Sequence, residues 1–274
     1  METNLGFPPP HIIPPSKSHT HTIIFLHGRR SNGPEFANEL FEGCSTAGFT
    51  LQEHLPTYKW VFPTTKKRYS STFQETINEW FETVSLESPE RRSDLQLPGL
   101  NEATRYITAL VEQESKLVPA ERIILGGLSQ GCATSLHALM VCQQRLGAYI
   151  GISGWLPFAT PVQEILDRAA QPATHAVEFF ARNLGIEQAV GSAGMAVLTT
   201  PVFLGHGTDD ELVALGQGKT IRDVLVRMGM RVEWRAYGEC GHWLKEPGEY
   251  DDLLAFLAES VGLRCSEDSY SEPL

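Results

Sequence analysis

"RIILGGLSQGCATSLHALM" (residues 122–140) reads as a short apolar strand, a glycine-rich turn and the opening of a helix, and the turn carries Gly127-Leu128-Ser129-Gln130-Gly131. A Gly-x-Ser-x-Gly turn between strand and helix is a place where a serine nucleophile can stand exposed at the top of a sheet. The pentapeptide alone does not decide the matter, because it arises by chance in roughly one chain in ten of this length. What decides it is whether the rest of the chain supplies a base, an orienting acid and backbone donors at neighbouring strand ends.

Outward from this stretch, β-type runs occur at residues 21–26 ("HTIIFL"), 59–62, 122–125, 148–152, 201–204 and 231–236. Helical patterns at 101–117, 130–146, 212–228 and 247–261 fall between most of them or follow the last, with apolar residues recurring every third or fourth position. This alternation predicts an α/β fold, a mostly parallel central sheet with helices on both faces, whose ligands bind beyond the carboxyl ends of the strands. Residues 160–199 break the rhythm and contain an amphipathic piece at 174–190; they are expected to form a small helical cap inserted over the strand ends. The expected organisation is a Pro-rich N-terminal extension at 1–20 laid over the surface, one domain at 21–262, and a frayed polar tail at 263–274.

Composition narrows the function classes. With 42% hydrophobic and 20% charged residues in 274, and no apolar run of about 18 residues, the chain is globular with no membrane-spanning segment. A net charge of −11 argues against a nucleic-acid partner and against attraction to anionic lipid, since both require a basic face. The cluster Lys66-Lys67-Arg68 is expected to be a solvated loop. Five scattered cysteines, odd in number and without metal-like spacing, fit reduced thiols, no metal site and a cytoplasmic protein. The N-terminus has no secretory pattern, and no lipid-anchor signal is present, so no stable membrane anchor is expected.

A serine hydroxyl becomes nucleophilic when a histidine takes its proton and a carboxylate holds that histidine's tautomer. Asp209 and Asp210 follow the strand at 201–204, and His242 follows the strand at 231–236. Acid and base thus come after the serine, each beyond a strand. Spacing alone favours neither aspartate. One oxyanion donor is expected from the N–H of Gln130, the residue after the nucleophile, and the other from the loop "HGRRSNG" (residues 27–33). His27 and His206 are expected to be structural hydrogen-bonding residues.

"TIIFLHG", Trp80-Phe81-Glu82, "RIILGGLSQG", "SGWLP", "HGTDDELV" and "YGECGH" together resemble the acyl-protein thioesterase and lysophospholipase/carboxylesterase family of α/β-hydrolases, in consistent order from about His21 to Val261. The resemblance implies a serine hydrolase of acyl thioesters or carboxylic esters, with catalytic Ser129, Asp210 and His242 and no cofactor. It assigns the acid to Asp210, the second oxyanion donor to the N–H of Arg29, and Trp80 to the neighbourhood of the acyl cleft. Trp155 and Leu156 are further candidates for its apolar wall.

Arg30 departs from the family, which commonly has glycine there; if the position needs a positive φ, arginine strains the loop. Glu82 replaces the usual Asp. The side chains of Arg29 and Gln130 are expected to be replaceable at modest cost. "GQGKT" (residues 216–220) fails as a P-loop, because Val213 stands where the first glycine is required and the tract lies within a helical pattern. A small-ester carboxylesterase or a lysophospholipase is the alternative within the enzyme reading, and a hydrolase fold retained only as a binding module is a further alternative against which the presence of every triad element weighs.

Overall fold

The computed structural model describes residues 6–89, 91–186 and 192–262. Its centre is a seven-stranded sheet in the order β1-β3-β2-β6-β7-β8-β9. In chain order the strands are β1 His11–Ile13, β2 His21–Leu26, β3 Tyr58–Phe62, a separate hairpin of β4 Lys67–Ser70 and β5 Glu75–Asn78, then β6 Ile123–Leu128, β7 Ala148–Ile152, β8 Val202–Gly207 and β9 Val232–Tyr237. Only the edge strand β1 runs antiparallel to its neighbour; every other pairing in the large sheet is parallel. The helices are α1 Gly33–Glu42, α2 Leu51–His54, α3 Ser93–Glu114, α4 Gln130–Val141, α5 Ala159–Arg168, α6 Pro172–Asn183, α7 Ser192–Met195, α8 Leu215–Arg227 and α9 Gly248–Val261.

Central strands read as unbroken apolar runs because both faces are covered. Along β2, Ile24 and Leu26 point into the core shared with α3, α4 and α8, while Ile23 and Phe25 point into the core shared with α1 and α9. On β6, Ile123 and Leu125 face the first core and Ile124 faces the second. The second core is closed by Phe36 and Leu40 of α1 and by Tyr250, Leu253 and Phe256 of α9.

Three expectations change. The N-terminal extension is part of the domain: β1 pairs with β3, and buried Phe7 stacks on Tyr106 with ring centroids 4.2 Å apart. The basic cluster is no solvated loop, because Lys66 and Arg68 both pair with Glu102 of α3, and Lys66 also lies 4.7 Å from the centre of the Phe7 ring. The segment expected as a cap forms α5, α6 and α7, and α6 turns its apolar side inward. Its Val177, Phe180 and Ala181 are buried, with Phe180 packing edge-on to His137 of α4 at 5.1 Å. Part of the amphipathic piece and the whole C-terminal tail lie outside the described residues.

Candidate active site

The two glycines of the Gly-x-Ser-x-Gly turn are dictated by packing. A Cβ on Gly127 would come within 2.6 Å of the Gly131 carbonyl carbon, and a Cβ on Gly131 within 2.3 Å of the Leu26 carbonyl oxygen. Strand and helix therefore meet in a turn tight enough to force Ser129 to φ 56°, ψ −120°, a conformation costly for a residue with a side chain. The Ser129 N–H donates to Ile152 O at 2.9 Å, which fixes the turn on the end of β7. As the first residue of α4, Gln130 has no acceptor for its N–H within the helix.

Beyond β8, Asp210 is buried and fully partnered. Its Oδ1 accepts from the N–H groups of Leu212 and Val213, both at 2.9 Å, and its Oδ2 lies 2.7 Å from His242 Nδ1. Burial works against ionisation of Asp210, but the bonds from His242 and from these N–H groups outweigh it and hold the carboxyl below the usual range. The Asp210–His242 contact fixes Nδ1 as the donor and leaves Nε2 free to accept a proton.

Asp209 takes a different part. Its Oδ1 accepts from Cys240 N–H at 3.3 Å and Gly241 N–H at 3.2 Å, holding the loop that carries His242. That loop crosses so close to the end of β8 that a Cβ on Gly207 would meet the Gly241 carbonyl oxygen at 2.1 Å.

The other two histidines near the site are structural. His27 Nε2 accepts from Thr65 N–H, which makes Nδ1 the donor to Gly28 O at 2.6 Å. His206 Nε2 donates to Val213 O at 2.8 Å. Burial lowers the pKa of both rings, that of His27 to about 4. His242 keeps part of its side chain, 18%, open to solvent.

The loop after β2 lies against the nucleophile, since a Cβ on Gly28 would sit 3.5 Å from Ser129 Cβ. Arg30 N–H donates to Asn78 O at 2.7 Å. The Gln130 side chain is no bystander, contrary to expectation. Its Oε1 accepts from Trp80 N–H at 2.9 Å and its Nε2 donates to Phe81 O at 2.6 Å, tying the nucleophile turn to residues 80–83. Arg29 is also engaged, its guanidinium 4.6 Å from the centre of the Phe73 ring.

Trp80, Trp155 and Leu156, expected at the apolar wall of the acyl cleft, are almost completely buried in the core. Trp80 supports the site from behind: its indole N–H donates to His27 O at 2.9 Å. Glu82 accepts from Ser71 N–H and Ser71 Oγ, fastening the β4–β5 turn. Beside them Glu79 is buried without a hydrogen bond to its carboxyl among the described residues, and burial lifts it to about 7 against the opposing charge of Arg29.

A second buried acid predicts how stability varies with pH. Glu249 lies under β8, with Oε2 accepting from Lys245 N–H at 2.9 Å and Oε1 unpartnered, and burial pushes it up to about 8. The folded chain holds this proton more tightly than the unfolded one, so the neutral form's advantage is complete below about 4.5 and is lost as pH rises through about 8. Stability should therefore fall by a few kcal/mol across that window, and Glu249→Gln should flatten the fall in urea midpoints measured between pH 5 and 8.5. An unchanged slope in that variant would refute the assignment.

Comparison with known proteins defines the class. The profile of the phospholipase/carboxylesterase family matches residues 8–177, starting within the N-terminal segment that carries β1. The acyl-protein thioesterase 1 of Gibberella zeae is 28% identical over 92% of this chain and 95% of its own length, and that of Yarrowia lipolytica is 28% identical over 91% and 96%. Among solved structures, acyl-protein thioesterase 2 of Zea mays superposes with a TM-score of 0.69 at 23% identity, covering 92% of this chain and 99% of its own. The chain belongs to the phospholipase/carboxylesterase family of α/β-hydrolases. It is accordingly an enzyme, a hydrolase of carboxylic esters. No helix among the described residues is long and apolar enough to cross a membrane.

Proposed function

We propose that this chain is a serine hydrolase that cleaves acyl thioesters as well as carboxylic esters through an acyl-enzyme on Ser129. The observation that carries the reading is the buried Asp210, 2.7 Å from His242 Nδ1, at the sheet edge that also presents Ser129 in its strained turn. Ser129 Oγ attacks the acyl carbonyl while His242 Nε2 takes its proton, and Asp210 stabilises the imidazolium. The N–H groups of Arg29 and Gln130 receive the negative charge that develops on the carbonyl oxygen. Collapse expels the leaving group: an alkoxide takes the proton back from His242 as it departs, whereas a thiolate departs first and takes that proton from His242 afterwards, so that in both cases His242 is again neutral. Water deprotonated by His242 then attacks the acyl-enzyme and releases the carboxylic acid and Ser129. Among the described residues Ser129 Oγ makes no hydrogen bond, and such contacts often tighten only around substrate.

Similarity over nine-tenths of two acyl-protein thioesterases supports an acyl group carried on a protein thiol, and we take the preferred chain to be of medium to long length. The site is expected to take soluble acylated substrates without a nucleic acid, a metal or an organic cofactor, in the cytoplasm. Each additional methylene buried by the substrate favours binding by up to about 0.8 kcal/mol, so kcat/KM should rise severalfold per two carbons until the site is filled. A chain-length series on matched p-nitrophenyl esters and acyl thioesters tests this. A rise extending past eight carbons is the expected result, and a maximum at two carbons in both series would leave a small-ester hydrolase. Thioesters should also tolerate impaired proton donation by His242 better than alkyl esters, because a thiol of pKa about 8.5 leaves readily as thiolate.

A further inference from the structure

We propose that Arg30, acting through Phe73 and Glu75 of the β4–β5 hairpin, is a positioning residue that holds the oxyanion loop in register with Ser129. The proposal rests on the reading of Arg29 N–H as an oxyanion donor. Arg30 adopts φ 72°, in the left-handed region where a Cβ is unfavourable and glycine would be free of cost. A strained conformation persists where surrounding contacts over-determine it, and Arg30 has several such contacts, all to the β4–β5 hairpin. Its guanidinium pairs with Glu75 and lies 4.7 Å from the centre of the Phe73 ring, which Arg29 covers at 4.6 Å. Its N–H donates to Asn78 O at 2.7 Å, and Asn78 Nδ2 donates back to Ser31 O at 2.9 Å.

All of these contacts join residues 29–31 to residues 73–78. An isolated exposed ion pair is weak, and Arg30 and Glu75 are each about half exposed. Here the pair is one of several ties between the same two short segments, and two of the others are hydrogen bonds, one between backbone groups and one from the Asn78 side chain to the Ser31 carbonyl. His27, two residues before Arg29, is pinned separately, by Thr65 and Trp80. Gly28 and Arg29 therefore lie between a fixed histidine and a clamped arginine, which restricts the directions open to the Arg29 N–H. Because Glu75 already neutralises the Arg30 charge, the guanidinium is committed to the hairpin rather than to an acidic substrate.

The test measures kcat, KM and thermal midpoint for the wild type, Arg30→Gly and Phe73→Ala on a neutral short-chain p-nitrophenyl ester, on which an anion-binding arginine would have no effect. Arg30→Gly relieves the left-handed strain, so its midpoint should hold or rise. Its kcat should nonetheless fall about tenfold with KM little changed, since a misdirected donor costs part of the 10²–10³-fold that a whole oxyanion donor supplies. Phe73→Ala should show the same split. The reversed pair Arg30→Glu with Glu75→Arg should recover most of the kcat lost by either single reversal. Wild-type or higher kcat in Arg30→Gly, or a loss that merely follows the thermal midpoint, overturns the clamp while fluorophosphonate labelling of Ser129 leaves the catalytic reading standing. Absence of that labelling in the wild type removes the reading and the clamp together.

Discussion

Ser129→Ala is expected to lower kcat by about 10⁶-fold while leaving the fold and the thermal midpoint close to those of the wild type, as loss of an activated nucleophile generally does. The strained turn at Ser129 is enforced by the close approach of Gly127 to Gly131 and of Gly131 to β2, so alanine occupies the same backbone conformation. What disappears is the oxygen proposed to form the acyl-enzyme. The residual rate would reflect only the oxyanion donors and binding. Steady-state hydrolysis of a p-nitrophenyl ester, with the variant purified free of host esterases, measures the loss. Near-normal turnover would mean that another group attacks.

Asp210→Asn is expected to cost about 10⁴-fold in kcat. The asparagine Oδ1 can still accept from Leu212 and Val213, so the turn after β8 should survive. Its amide nitrogen then faces His242 Nδ1, where donor would meet donor, and the ring must adopt the tautomer that puts its proton on Nε2. Asp209→Asn should be mild, because an amide oxygen can still accept from Cys240 and Gly241. The same ester assay on both variants separates the roles, and a reversed order of losses would move the acid to Asp209.

The parallel sheet was legible because each central strand is a continuous apolar run bounded by glycine or polar turns. The elements that escaped notice are those whose sequence logic is tertiary. The helical pattern was expected to begin at residue 101, yet α3 begins at Ser93 and runs through Pro98 and Gly99. Gly99 is required there because a Cβ would lie 2.7 Å from Phe81 Cα, and that contact is invisible along the chain. Strand β1 is three residues among prolines, too short for any periodicity to register, and is held by pairing with β3.

Within the candidate site, the turn that carries Ser129 and the positions of Asp210 and His242 beyond later strands were readable from motif and strand position; the roles proposed for them are what the variants test. The choice between Asp209 and Asp210 was not readable from spacing, because both follow the same strand; the structure gives them different partners, His242 for one and the His242 loop for the other. Trp80 was singled out as an aromatic near the cleft, and its actual contact is a hydrogen bond to His27 O behind the oxyanion loop. Aromatic residues of wall and core are chemically alike, so sequence could not assign it. The bidentate use of Gln130 was equally hidden, since its partners are the backbone groups of Trp80 and Phe81, about fifty residues away.

The most direct test of the account is covalent labelling with a fluorophosphonate, in which Ser129 Oγ would displace fluoride at phosphorus and form a stable adduct located by peptide mass spectrometry. The account predicts one adduct, on the peptide containing Ser129, formed more slowly in Asp210→Asn and absent in Ser129→Ala. An esterase-active wild-type protein that stays unlabelled, or that carries the adduct on a different residue, would contradict it.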